Sequence, residues 1–129
     1  MILDDALLDD LLVQAKNSER LRLPLDLRTS PADGSQRMLN ALQPGTVLPI
    51  HRHPTTSEVL VLLRGCLDQI FYDEQGKETH RVRIDTSAGV YGCTIPIGVW
   101  HNIEVLAPTI IMEAKDGPYS PNASEFFEN

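Results

Sequence analysis

Three histidines and one glutamate stand at spacings that suit a metal ion. In His51-Arg52-His53 the imidazoles lie two residues apart, and on an extended strand such residues project from one face, so both can reach a single point. Glu58 follows five residues later, beyond Pro54-Thr55-Thr56-Ser57 and at the head of the apolar run 59–63. A turn there brings the chain back beside itself, and the carboxylate with it. His101 comes after a second turn signal, Pro96-Ile97-Gly98, at the start of another strand-like stretch. Three neutral imidazoles and a carboxylate accept Zn, Fe, Mn, Ni or Co, and in octahedral geometry they leave two positions open for water or substrate. The expected cofactor is one divalent transition metal held by His51, His53, Glu58 and His101. An isolated H-x-H pair is more often a pair of surface histidines, so the surrounding elements must carry the argument.

Those elements are mostly strands. Over residues 2–16 the apolar positions Leu3, Leu7, Leu8, Leu11, Leu12 and Ala15 recur at three- and four-residue spacing, with Asp4 or Asp5 as N-cap, which predicts one amphipathic helix packed on the rest of the chain. From Arg20 onward the period drops to two, as in Leu21, Leu23, Leu25 and Leu27, and short β-rich runs alternate with turn signals such as Pro44-Gly45, Arg64-Gly65 and Asp73-Glu74-Gln75-Gly76. About eight strands follow. No helical pattern recurs between them, which excludes a parallel βαβ sheet and leaves a sandwich, jelly roll or barrel.

Composition narrows the function classes. With 129 residues, one domain with one core is expected. Eighteen acidic against eleven basic residues give a net charge of −7, and no Lys/Arg cluster is present to neutralise a run of phosphates, so nucleic acid is not an expected partner. No stretch is long and apolar enough to span a bilayer, and the first residues lack the basic start of a secretory leader, which reads as a soluble cytoplasmic protein. Cys66 and Cys93 are too few and too far apart for a disulfide framework and read as buried thiols.

The spacing Gly45, five residues, His51-x-His53, four residues, Glu58, six residues, Gly65 reproduces the first motif of the cupin superfamily. Pro96-x-Gly98-x-x-His101 resembles the second, although Gly89 lies one residue farther from the proline than usual and Val105 stands where asparagine is common. Residues 36–42 before Pro44-Gly45, together with His53-Pro54, Trp100-His101 and Gly117-Pro118-Tyr119-x-Pro121, look like the WbuC-type cupin fold metalloproteins over nearly the whole chain. That resemblance implies a mainly β, single-domain cupin: a jelly-roll barrel (double-stranded β-helix) over residues 20–116, with a short N-terminal helix over residues 1–19 and a tail over residues 117–129. It also implies a homodimer and, from the gene neighbourhoods of that family, a place in polysaccharide biosynthesis.

Four further residues are candidates for contact with a small-molecule substrate. Arg37 and Asn40 precede the metal strand, and a guanidinium there can grip a carboxylate or phosphate. Trp100 offers a stacking face beside His101. Tyr119 lies in a proline-rich tail able to fold over the site. Arg64 shares the face of Glu58 by strict alternation, although an arginine before a turn glycine usually faces solvent. The expected function is a metalloprotein acting on a sugar or sugar nucleotide. A non-catalytic metal- or sugar-binding module and an Fe(II)-dependent dioxygenase are the alternatives the ligand set permits.

Overall fold

Asp4 starts the helix. Its side chain accepts the backbone N–H of Leu7 at 3.0 Å, and α1 runs from Asp5 to Asn17 in the computed structural model, which describes residues 1–128. Leu8, Leu11, Leu12 and Ala15 form its buried stripe. They pack against Leu39, Ala41 and Ile110, with Leu23, Leu25 and Leu27 at the margin, in one apolar cluster.

Ten strands follow: β1 (Arg22–Asp26), β2 (Ser35–Leu42), β3 (His51–Arg52), β4 (Glu58–Arg64), β5 (Cys66–Tyr72), β6 (Glu78–Asp85), β7 (Gly92–Ile95), β8 (Trp100–Val105), β9 (Thr109–Asp116) and β10 (Glu125–Phe126). The count exceeds the expected eight, and β10, two residues long, is too short for any periodicity to reveal. All pairings are antiparallel, in two five-stranded sheets of order β1-β2-β9-β4-β7 and β10-β3-β8-β5-β6. This is a single-domain jelly roll with an N-terminal helix. The sheets enclose a second cluster, built from Leu42, Leu60, Leu62, Leu67, Ile84, Ile95, Val105 and Ile111. β2 is therefore apolar on both faces: Leu39 and Ala41 meet the helix while Leu42 faces the interior.

Two local departures bear on position. A bulge between Leu62 and Arg64 shifts the register of β4 against β9, so alternation no longer holds and Arg64 does not share the face of Glu58. Its guanidinium instead reaches Asp9 at 2.6 Å and Asp5 at 2.9 Å, tying the helix to the barrel. The segment after residue 117 is more than a tail, because β10 pairs with β3 and Glu125 meets Arg52 at 2.7 Å. Among the described residues no helix is long and apolar enough to cross a membrane.

Candidate metal centre

β3 and β8 place His51 directly opposite His101, and their ring centroids lie 4.3 Å apart. His53 follows β3 by one residue. Its carbonyl accepts the backbone N–H of Gly98 at 2.9 Å, which stitches the two motif turns together. Gly98 sits at φ 74°, a left-handed conformation that glycine adopts without a Cβ clash. Nitrogens of His51, His53 and His101 all lie within 4.8 Å of one another.

The outer nitrogens set the tautomers. His51 Nδ1 lies 3.0 Å from the Pro49 carbonyl, and His101 Nδ1 lies 2.8 Å from the Val99 carbonyl. A carbonyl can only accept, so each Nδ1 carries the proton and each Nε2 presents a lone pair. Burial pushes all three imidazoles toward the neutral form, His101 down to about 4. Glu58 enters from β4 of the opposite sheet. Its Oε2 lies 3.1 Å from His53 Nε2 and 3.8 Å from His101 Nε2. Both His53 Nε2 and Glu58 Oε2 are buried without a hydrogen-bond partner. Two inward lone pairs from His51 and His101, with a third ring nitrogen and a carboxylate oxygen that have no hydrogen-bond partner among the described residues, make a donor set suited to a cation, so the residues present fit a divalent metal.

The four sit in a cavity of about 350 Å³ between the sheets. Leu42, Leu60, Ile95 and Ile111 are shared with the apolar core beneath, and Gln69, Asn102 and Glu113 add polar atoms. Gln69 Oε1 is a third buried atom without a partner.

Of the other four candidates, Asn40 lines the cavity and donates to Glu113 Oε1 at 2.7 Å. Arg37, Trp100 and Tyr119 lie outside it. Arg37 alternates with Met38 and Asn40 along β2, so it faces outward, where Asp33 takes it at 2.7 Å. Trp100 is buried in the wall, with the Arg52 guanidinium over its ring at 4.2 Å and Phe127 against its edge. Tyr119 stands beside Arg28 at a separate surface hollow. Cys66 and Cys93 are half-buried free thiols, and burial pushes Cys93 up to about 11.

Sequence reasoning missed Glu113. It sits on β9, where an acid in an apolar run reads as solvent-facing, yet it lines the cavity. Desolvation and the neighbouring Glu58 carboxylate raise it to about 8. Ser124, whose hydroxyl lies 3.1 Å from His53 Nδ1, was equally invisible.

Residues 3–84 match the family described as Domain of unknown function (DUF6016). The chain belongs to that family. The match takes in His51, His53 and Glu58 and stops short of His101. No curated protein matches the DUF6016 chain in sequence. Among solved structures, it is similar to the capsular polysaccharide assembling protein CapF from Staphylococcus aureus, with 23% identity and a TM-score of 0.68 over 82% of this chain and 29% of that one. It is also similar to the oxalate decarboxylases of Lactobacillus farciminis (18% identity, TM-score 0.63, 82% of this chain, 30% of that one) and Bacillus subtilis (18%, 0.64, 82% and 27%). The DUF6016 chain thus spans about three-tenths of the length of these proteins. At such identities the likeness shows the fold, and that fold is the cupin fold.

Proposed function

We propose that the chain is a cupin metalloprotein that holds one divalent transition metal, Zn, Fe, Mn, Ni or Co, through His51, His53, His101 and Glu58, and acts on a small polar metabolite. The observation that carries this reading is the pair of buried polar atoms without a partner among the described residues, His53 Nε2 and Glu58 Oε2, beside two imidazoles whose tautomers turn their lone pairs inward. A bound divalent ion supplies Lewis-acid polarisation of a substrate oxygen. The chain supplies the rest. Asn40 donates to Glu113 Oε1, which leaves Oε2 facing the cavity, and burial beside Glu58 raises that carboxyl. Glu113, held by Asn40 on one oxygen and lining the cavity beside the proposed ligands, is the residue this reading assigns as proton donor. The apolar floor of Leu60, Ile95 and Ile111 excludes water beneath it.

A sugar or sugar nucleotide is the substrate class this reading favours, with a role in polysaccharide biosynthesis. Its supports are the likeness in fold to a capsular polysaccharide assembling protein and the WbuC-type motifs of the sequence. Elemental analysis of protein purified without chelator, set against a His51→Ala/His101→Ala variant, tests the site. About one transition metal per chain in the first and none in the second is the expected result. Native protein that carries no metal and takes up none of the five ions on titration sinks the reading.

A further inference from the structure

The protein has eight arginines and an excess of acids. Six of the eight hold a carboxylate: Arg28, Arg37, Arg52, Arg64, Arg81 and Arg83 each lie within 2.8 Å of one. Among the described residues, Arg20 and Arg22 are the arginines with no carboxylate at ion-pair distance. Both line the cavity that holds the histidines, as does Lys115.

The segment carrying them is built firmly. Leu21, between them, is the one non-glycine residue at positive φ among the described residues, at 57°, a conformation that costs a residue with a Cβ about 1–2 kcal/mol. Its neighbours hold it there. Leu21 N–H donates to the Ser18 carbonyl at 3.1 Å, Gln43 N–H donates to the Leu21 carbonyl at 3.0 Å, and Thr46 Oγ1 donates to the Arg20 carbonyl at 2.8 Å. Arg22 Nη1 donates to the Val47 carbonyl at 2.9 Å, while its Nε and Nη2 meet no protein acceptor among the described residues. Strain of this kind persists where surrounding structure over-determines it, as at ligand sites. Two like charges side by side on a cavity wall of an acidic protein gain most from an oxyanion that accepts from both.

We infer that Arg20 and Arg22 form an oxyanion subsite, and that the cavity's ligand is an anionic small molecule whose carboxylate or phosphate end lies on them while its other end reaches the histidines. The inference rests on the cavity being a ligand site, as proposed above, and sharpens its substrate class from polar to anionic. The pair also reverses the repulsion that a net charge of −7 sets against an anion.

Calorimetric titration tests it, with inorganic phosphate, malonate and glucose 1-phosphate as probes and glucose as neutral control. The protein is the metal-loaded full chain and its Arg20→Gln and Arg22→Lys variants. Arg20→Gln suits the purpose because that side chain makes no hydrogen bond among the described residues, so its thermal midpoint and metal content should match the parent. The expected result is that phosphate or malonate binds, glucose 1-phosphate binds better than glucose, and each substitution weakens the anions at least about tenfold, one decade in Kd. The tighter of phosphate and malonate identifies the anionic end. Failure of all three anions to bind, or equal binding by parent and folded Arg20→Gln protein, overturns the inference while leaving a one-metal stoichiometry standing. Arginine-dependent phosphate binding in a chain that takes up no metal supports the subsite and sinks the metal reading instead.

Discussion

His53 Nε2 and Glu58 Oε2 face each other across 3.1 Å, in side chains only 5% and 2% exposed, and neither makes a hydrogen bond among the described residues. Two buried polar atoms left without partners are unfavourable, and a cation between them would satisfy both. Glu58→Gln replaces one acceptor by an amide whose N–H₂ can donate to His53. The metal-free variant should therefore be as stable as metal-free parent protein, or more stable by about 1 kcal/mol, while losing most of its metal affinity. Chemical denaturation with chelator, paired with metal titration, reads both. A variant that is strongly destabilised when metal-free but binds metal normally contradicts the assignment.

Ser124 should matter to the same centre from outside it. Its hydroxyl stands at His53 Nδ1, and groups that orient a ligand imidazole typically contribute about 10–100-fold to metal affinity. Ser124→Ala should weaken metal binding by about tenfold with an unchanged unfolding midpoint in chelator. Unaltered affinity would remove Ser124 from the site.

Asp68 gives the fold a pH dependence remote from the histidine cluster. It is buried on the outer face of β5, and hydrogen bonds from Arg83 first, then Arg81, hold its carboxyl below the ordinary value. The folded state therefore favours the ionised form, so the stabilisation is present above the unfolded value of about 4 and is lost as pH falls below it. Asp68→Asn should cost about 2 kcal/mol at pH 7, less than a fully buried pair because both guanidiniums reach solvent. The gap from parent protein should shrink as denaturation is repeated from pH 5 down to pH 3. A gap that stays constant with pH would assign the loss to packing.

The helix is held by its apolar stripe more than by its ion pairs. Leu11 is 5% exposed in the cluster beneath α1, and Leu11→Ala should cost about 2–5 kcal/mol. Arg64→Ala removes contacts to Asp5 and Asp9, which are 92% and 69% exposed, and should cost under about 1 kcal/mol per pair. Urea midpoints of the two variants will show which term dominates, and the reverse order would make the clamp the principal anchor.

Gly65 should tolerate no side chain. It sits at φ 106°, and a Cβ there would lie 2.6 Å from the Pro108 carbonyl oxygen and from Thr109 Cα. Gly89, at φ 77° with open space around it, carries the conformational cost alone, about 1–2 kcal/mol for alanine. Gly65→Ala should lose clearly more than Gly89→Ala in thermal unfolding. Equal losses would show that the backbone at residue 108 yields.

What the sequence determined by itself is what short-range geometry encodes. The stripe Leu8, Leu11, Leu12, Ala15 makes a helix because 3.6-residue periodicity puts those positions on one face. His51 and His53 share a direction because a strand alternates. Gly65, Gly76 and Gly98 mark turns because only glycine takes a left-handed backbone freely. The jelly roll was legible to the same extent, as many short strands with no helices between them.

Tertiary structure decided everything that depends on which strands meet. Glu113 reads as a solvent-facing residue of β9 until β2 and β4 close on either side of it and turn it inward. Ser124 and the arginine pair reach one cavity from opposite ends of the chain, and β10 has two residues, too few to carry a pattern. Arg37 was placed by proximity in sequence and faces outward on β2, while a bulge in β4 puts Arg64 on the outer surface, as its place before a turn glycine suggested. Antiparallel pairing is a long-range contact between segments whose local composition is much alike. Partner choice is therefore set by burial and shape across the whole fold, which no window of neighbouring residues contains.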